Sequence, residues 1–139
     1  MDFLDKMKTF PVHHVGIPTS DMDKTIAYYA EKQGMTLTYR KQVYVPVKIE
    51  LAFMKKKDTV IELFSTPSMG KTPVEGGGID HVAFLVDNAM ETFYEAKGAG
   101  LLLKSNTLNE LPVLEHGIRY FMAQGPDKEL LEFMEICKC

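Results

Sequence analysis

The stretch HHVGIP, residues 13 to 18, places two adjacent histidines at the start of an apolar strand pattern. A similar stretch, DHVAFLV at residues 80 to 86, follows 67 residues later, counted from His14 to His81. Each stretch precedes a segment with helical spacing of its apolar residues and then several alternating segments. The recurrence predicts that the chain contains two copies of one structural module.

The first copy continues with a helix predicted over residues 20–34, in which Ser20 or Asp21 is the N-cap and Gly34 ends the helix. Three strands are then predicted: MTLTYR (35–40), VKIELAFM (47–54) and TVIELFS (59–65). The order of elements in this copy is therefore βαβββ.

The second copy repeats that order, with a long polar loop at 105–117 of the kind that is often functional. Its predicted elements are the strand IDHVAFLV (79–86), the helix DNAMETFYEAKGAG (87–100) and the strands LLLK (101–104), IRYFMAQ (118–124) and KELLEFMEI (128–136). The pattern predicts an α+β fold in which tandem βαβββ modules form a cupped eight-stranded sheet with helices on the outside. We expect a single domain over 1–139, with module one at about 11–65, a linker at 66–78 and module two at about 79–136.

Composition excludes several classes of protein. A net charge of -3 and an isoelectric point near 5.8 argue against a nucleic-acid partner. No apolar run approaches the ~20 residues that span a bilayer, and acidic residues near the start argue against a secretory signal. The two cysteines, Cys137 and Cys139, are expected to be reduced thiols of a cytoplasmic protein.

Strand alternation separates the two histidines of the opening stretch. Because neighbouring side chains point to opposite faces, His14 is expected on the face away from the helix and His13 on the other. The same argument applied to the remaining strands predicts that four side chains look into one concave surface: His14, Glu62, His81 and Glu132. In VKIELAFM, alternation predicts an apolar core side and leaves Glu50 and Ala52 on the side of the site.

Two imidazoles and two carboxylates balance the charge of one divalent metal ion. Nitrogen and oxygen ligands suit Zn, Ni, Co, Mn or Fe rather than a thiolate-selective metal. Because no cysteine is among the four, a catalytic site with open positions is favoured over structural zinc. The alternative is that the four are unrelated polar residues at strand ends.

The tandem pattern resembles the vicinal-oxygen-chelate superfamily, which includes glyoxalases, bleomycin-resistance proteins and dioxygenases. HHVGIP and DHVAFLVDN open the two halves, and VIELF and ELLEFMEI close them, so the resemblance extends from about Pro11 to Ile136. Within the superfamily the chain is most similar to glyoxalase I and methylmalonyl-CoA epimerase. The segment GPDKELLEFME departs from the usual pattern, because Lys128 stands where a glycine is common.

The resemblance implies that His14, Glu62, His81 and Glu132 hold the metal, and that Glu62 and Glu132 act as base and acid. A glyoxalase I-like lyase or isomerase would move a proton next to a carbonyl, through a metal-stabilised enediolate, in a thiol adduct of a 2-oxoaldehyde. An epimerase-like enzyme acting on an acyl-CoA would add Glu50 as a catalytic residue. A small-molecule binder without catalysis is the third alternative, and a homodimer is expected in each case.

Overall fold

The computed structural model describes residues 2–67 and 78–139 of the chain, so positions 68–77 of the predicted linker lie outside the described residues. The described residues form three helices and eight strands. In chain order these are α1 (Phe3–Met7), β1 (Val12–Pro18), α2 (Met22–Glu31), β2 (Thr36–Tyr44), β3 (Lys48–Lys56), β4 (Thr59–Ser65), β5 (His81–Leu85), α3 (Ala89–Gly98), β6 (Asn109–Leu111), β7 (Ile118–Gln124) and β8 (Leu130–Ile136). None of the described helices is long and apolar enough to cross a membrane.

The chain divides into two compact units. The first unit is His14–Asp80, and the second unit combines Met1–His13 with His81–Cys139. Strands follow the order β2-β3-β4-β1 in the first unit and β5-β8-β7-β6 in the second. In each unit the opening strand runs parallel to the closing strand, and the remaining pairs are antiparallel. The predicted α+β class with tandem βαβββ modules is confirmed.

In the first unit, α2 begins at Asp21, whose carboxylate accepts a hydrogen bond from the backbone N–H of Lys24. The helix packs on one face of the strands, which we call the helix face. The apolar residues of the core between the helix and the strands are Met22, Met35, Ala52, Met54 and Leu63. Because Ala52 and Met54 of β3 belong to this core, the prediction that Ala52 lies on the side of the site is wrong.

In the second unit, the helix α3 begins at Asn88 and covers one face of β5, β7 and β8 in the same way. The buried apolar residues are Phe3, Val86, Ala89, Phe93, Ala96, Phe121, Ala123 and Phe133. Phe3 belongs to α1, a helix of five residues that is too short to show a periodic pattern in the sequence. Lys6 of α1 also forms an ion pair with Glu95 of α3, with 2.8 Å between Nζ and Oε1.

The strand predicted at residues 101–104 is not formed. Only Leu103 pairs there, in an isolated bridge opposite Ala123, because the chain bends directly afterwards. The strand that pairs with β7 on the side away from β8 is β6, which lies inside the predicted polar loop. Leu101 and Leu103 pack against the apolar core of the second unit.

Candidate metal centre

In the first unit, a histidine and a glutamate meet on the face opposite the helix. Gly16 of β1 lies in register with Glu62 of β4, and His14 shares the face of Gly16, two residues away. We call this the His14 face. The His14 Nε2 and Glu62 Oε2 atoms are 3.5 Å apart, and the side chains are 1% and 13% exposed.

The second unit contains the same arrangement. Ala83 of β5 lies in register with Glu132 of β8, and His81 is two residues before Ala83. The His81 Nε2 and Glu132 Oε1 atoms are 3.4 Å apart, and both side chains are buried, at 6% and 7% exposure. Each unit therefore holds one His–Glu pair on the face away from its helix, as alternation predicts.

The separation in each pair fits a shared metal ion. Two ligand atoms bound about 2.1 Å from one tetrahedral zinc ion lie roughly 3.4 Å apart. In the first unit, the ligand atoms of His14 and Glu62 are close enough to hold one ion. A carboxylate is costly to bury unless it is paired or bound to a cation, and a divalent ion satisfies both members of a pair. The donor set therefore fits the predicted metal.

Small residues lie beside both carboxylates. Gly16 neighbours Glu62 and Ala83 neighbours Glu132 on the adjacent parallel strands. Glycine and alanine add little side-chain volume on the side of the opening strand, and both residues are buried.

The register of β7 and β8 decides which further side chains of the second unit share the face of Glu132. Met122 of β7 is directly opposite Glu132, so Tyr120, two residues away, shares the face of Glu132. Arg119 points to the other face and pairs with Glu110, with 3.2 Å between its Nε and the Glu110 Oε1 atom. His116 lies outside the strands, and its side chain is 40% exposed.

Glu50 does not share the face of Glu62, and the predicted placement beside the site is wrong. In the β3–β4 pair, Phe53 is opposite Glu62 and Glu50 is opposite Ser65, so Glu50 points to the helix face. Arg40 occupies that face as well and donates from Nε to the Glu50 Oε2 atom at 2.9 Å. Apolar residues occur on both faces of β3, and this concealed which side was the core.

Arg40 joins Glu50 to the helix. Its Nη1 atom lies 2.8 Å from the Asp23 Oδ1 atom of α2. The hydrogen bond to Asp23, followed by the one to Glu50, raises the pKa of the Arg40 guanidinium above its ordinary value. Glu50 is thus part of a structural contact between α2, β2 and β3.

Two aromatic residues on the His14 face were not predicted. The ring of Phe53 lies beside the His14 imidazole, with 5.7 Å between the ring centroids, and the Tyr39 ring lies 5.9 Å from Phe53 on the far side. Their position depends on how β2, β3 and β4 are aligned. A sequence with apolar residues on both faces does not reveal that alignment.

Two βαβββ units, each with a buried His–Glu pair formed by its opening and closing strands, define the class of protein. A sequence model described as the Glyoxalase/Bleomycin resistance protein/Dioxygenase superfamily matches residues 12–133. The chain belongs to this superfamily.

Particular relatives can be named. The chain is 33% identical over 127 residues to the uncharacterized protein YwbC of Bacillus subtilis (strain 168), covering 89% of this chain and 96% of the relative. It is 28% identical over 134 residues to a Vibrio cholerae protein named "Probable lactoylglutathione lyase", covering 93% of each. The solved structure of methylmalonyl-CoA epimerase from Mycobacterium tuberculosis is similar with a TM-score of 0.70 and 20% identity, over 91% of this chain and 88% of that one. The last likeness shows the fold alone.

Proposed function

We propose that the protein is a metal-dependent enzyme of the glyoxalase I type, in which His14, Glu62, His81 and Glu132 hold one divalent ion. The candidates for the ion are Zn, Ni, Co and Mn. One observation carries the proposal: a buried His–Glu pair recurs at the same register in both units, 3.5 Å apart in one and 3.4 Å in the other.

The segments that precede the two histidine-bearing strands are fixed by backbone hydrogen bonds within their units. In the first unit, the Asp80 N–H donates to the Gly16 carbonyl at 2.9 Å, and His81 is the next residue in the chain. In the second unit, the Leu85 N–H donates to the Pro11 carbonyl at 2.9 Å, three residues before His14. We propose a single centre because the pair recurs and because the resemblance implies that all four side chains hold the metal.

The chemistry proposed is proton transfer next to a carbonyl. A divalent ion supplies a positive charge that polarises the carbonyl oxygen and favours loss of a proton from the adjacent carbon. Glu62 and Glu132 are proposed to take the proton and return it, because a base must lie within hydrogen-bond reach of the proton it moves. Both carboxylates are largely shielded from solvent, which limits exchange of that proton with water.

A thiol adduct of a 2-oxoaldehyde is the proposed substrate. The relative named as a probable lactoylglutathione lyase, alignable over 93% of this chain, supports that class. Epimerisation of an acyl-CoA is the second candidate, supported by the similar fold of methylmalonyl-CoA epimerase. The third glutamate expected for that reaction, Glu50, lies on the helix face, and this favours the first candidate. The resemblance further suggests a homodimer, and we propose a cytoplasmic location.

Metal stoichiometry tests the centre directly. Purified protein equilibrated with each candidate ion should retain one ion per chain, and His81→Ala should lose it. His116→Ala, on the surface, is the matched control and should bind as the unaltered protein does. Two ions per chain would show that the pairs act separately, and no bound ion would overturn both enzyme candidates.

Activity then distinguishes the two reactions. We expect the metal-loaded protein to convert the adduct of methylglyoxal with a thiol and to leave methylmalonyl-CoA unchanged. The reverse result would select the epimerase candidate. A protein that binds the ion but converts neither compound would support the non-catalytic binder.

A further inference from the structure

The edge strand of the first unit contains a β-bulge near the His14 face. Leu37 of β2 pairs with Met54, but Tyr39 pairs with Phe53, so two steps along β2 correspond to one step along β3. Thr38 is the extra residue. Its Oγ1 atom donates a hydrogen bond to the Phe53 carbonyl at 3.3 Å, which fastens the bulge to β3.

The bulge reverses the direction of one aromatic side chain. In a regular strand, residues two apart share a face. Here Leu37 shares the helix face with Met54, which is fully buried in the core under α2, whereas Tyr39 shares the His14 face with Phe53. Bulges commonly re-aim a side chain in this way next to functional sites.

Tyr39 is the outermost member of an aromatic row that ends at a candidate metal ligand. Its ring is tilted 33° to that of Phe53, and the Phe53 ring is tilted 43° to the His14 imidazole. Phe53 is only 8% exposed, whereas Tyr39 is half-buried. Strands in a sheet are about 4.8 Å apart, so β2 lies roughly 10 Å from Glu62 on β4. That span suits a small substrate.

We propose that Tyr39 is a specificity-determining residue that selects substrates carrying a planar aromatic group beyond the reacting carbon. Aromatic rings gain energy from offset or tilted packing in addition to their burial. Phe53 holds the Tyr39 ring on one side, so an incoming ring would pack on the surface that Tyr39 still exposes. The inference rests on the proposed function for the position of the reacting group.

Binding of two chelators that differ in one substituent tests the proposal without requiring turnover. Benzohydroxamate and acetohydroxamate present the same pair of neighbouring oxygens and carry a phenyl or a methyl group. For the metal-loaded protein we expect the dissociation constant for benzohydroxamate to be about tenfold lower, and Tyr39→Ala to remove most of that preference. Tyr39→Phe should retain it, because the ring and not the hydroxyl makes the contact.

The same strand offers a matched control. Tyr44 is 69% exposed and pairs with Lys48, which places it on the helix face with Glu50. Tyr44→Ala should therefore leave the preference for benzohydroxamate unchanged. If Tyr44→Ala lowers the preference as much as Tyr39→Ala, or if Tyr39→Phe abolishes it, the proposal is wrong.

A second readout separates this proposal from the proposed function. Ligand-detected NMR without added metal should show contact between the protein and the phenyl protons of benzohydroxamate, lost in Tyr39→Ala. A protein that takes up one metal ion and shows no phenyl preference overturns the role of Tyr39 and leaves the proposed function intact. A protein that binds no metal but shows the Tyr39-dependent phenyl contact overturns the proposed function alone. Absence of that contact together with absence of any preference overturns the role of Tyr39.

Discussion

Phe53 of β3 lies directly opposite Glu62 of β4, so the ring and the carboxylate share one face of the first unit. Glu50 is on the same strand as Phe53 but lies on the helix face, where it forms an ion pair with Arg40. The two glutamates nevertheless have nearly the same exposure, 12% for Glu50 and 13% for Glu62. They form a matched pair that differs in the face of the sheet and not in residue type or burial.

Replacing Glu62 should therefore weaken metal binding, whereas the same replacement at Glu50 should not. Changing a group that only supports a metal ligand typically costs 10–100-fold in affinity, so we expect Glu62→Gln to lose about a hundredfold. Glu50→Gln should stay within about threefold of the unaltered protein by the same standard. Equilibrium dialysis with elemental analysis measures both. Equal losses in the two variants would contradict the assignment of faces.

The sequence allowed both His–Glu pairs to be predicted, because His14 and His81 recur in the strands that open the two copies and Glu62 and Glu132 recur in the strands that close them. It did not allow the face of β3 to be predicted. Glu50 and Tyr120 each precede the closing glutamate of their module by 12 residues, yet only Tyr120 shares that glutamate's face. The residue opposite Glu62 is nine positions before it, whereas the residue opposite Glu132 is ten positions before it, and a difference of one residue exchanges the faces of a whole strand.

Most element positions were predictable from periodicity, and those that were missed are short. The helix α1 has five residues and the strand β6 has three, so neither shows a repeating pattern. The bulge at Thr38 was also missed, because the extra residue is defined by pairing with β3 and leaves no mark in the sequence of β2. These features depend on contacts between segments that are distant in the chain.

Metal binding should stabilise the protein through both pairs if they hold one ion. A ligand at 100 times its dissociation constant raises the free energy of unfolding by about 2.7 kcal/mol. At the same metal concentration, the free energy of unfolding of Glu132→Gln should rise by less, because the variant's dissociation constant for the metal is higher. Glu110→Gln, on an exposed part of β6, should show the full gain. Thermal unfolding with and without a chelator measures this stabilisation by the metal. If Glu132→Gln is stabilised as much as the unaltered protein, Glu132 is not a metal ligand.

The N-terminal helix should be held to the second unit mainly by apolar packing. Phe3 is 9% exposed in the core of that unit, and its ring lies 6.4 Å from that of Phe10. We expect Phe3→Ala to lower the free energy of unfolding by about 3 kcal/mol. Leu4→Ala, on the same helix but 52% exposed, should change it by less than about 0.5 kcal/mol. Denaturant unfolding compares them, and similar effects in both variants would show that α1 is not packed as described.

The ion pair of that helix should have a defined pH dependence. The hydrogen bond to Glu95 is the main cause that raises the pKa of Lys6 above its ordinary value of 10.5. A cation whose pKa is raised on folding stabilises the folded state below the unfolded pKa, and the contribution disappears as pH rises through the folded pKa. Any difference in melting temperature between the unaltered protein and Lys6→Met should therefore be constant from pH 6 to 9 and vanish only above about pH 10.5. A difference that vanishes near neutral pH would contradict this ion pair.

Two glycines in the second unit should respond in opposite directions to alanine. Gly117 has a φ of +83°, and an added Cβ would lie 3.2 Å from the Leu111 carbonyl oxygen. Gly117→Ala should cost about 1–3 kcal/mol, because alanine is strained in the left-handed region. Gly98 ends α3 with open space around it, so Gly98→Ala should add up to about 1 kcal/mol. Denaturant midpoints for the two variants check this. Stabilisation by Gly117→Ala would mean that the turn into β7 does not hold the conformation that positions Tyr120 on the face of Glu132.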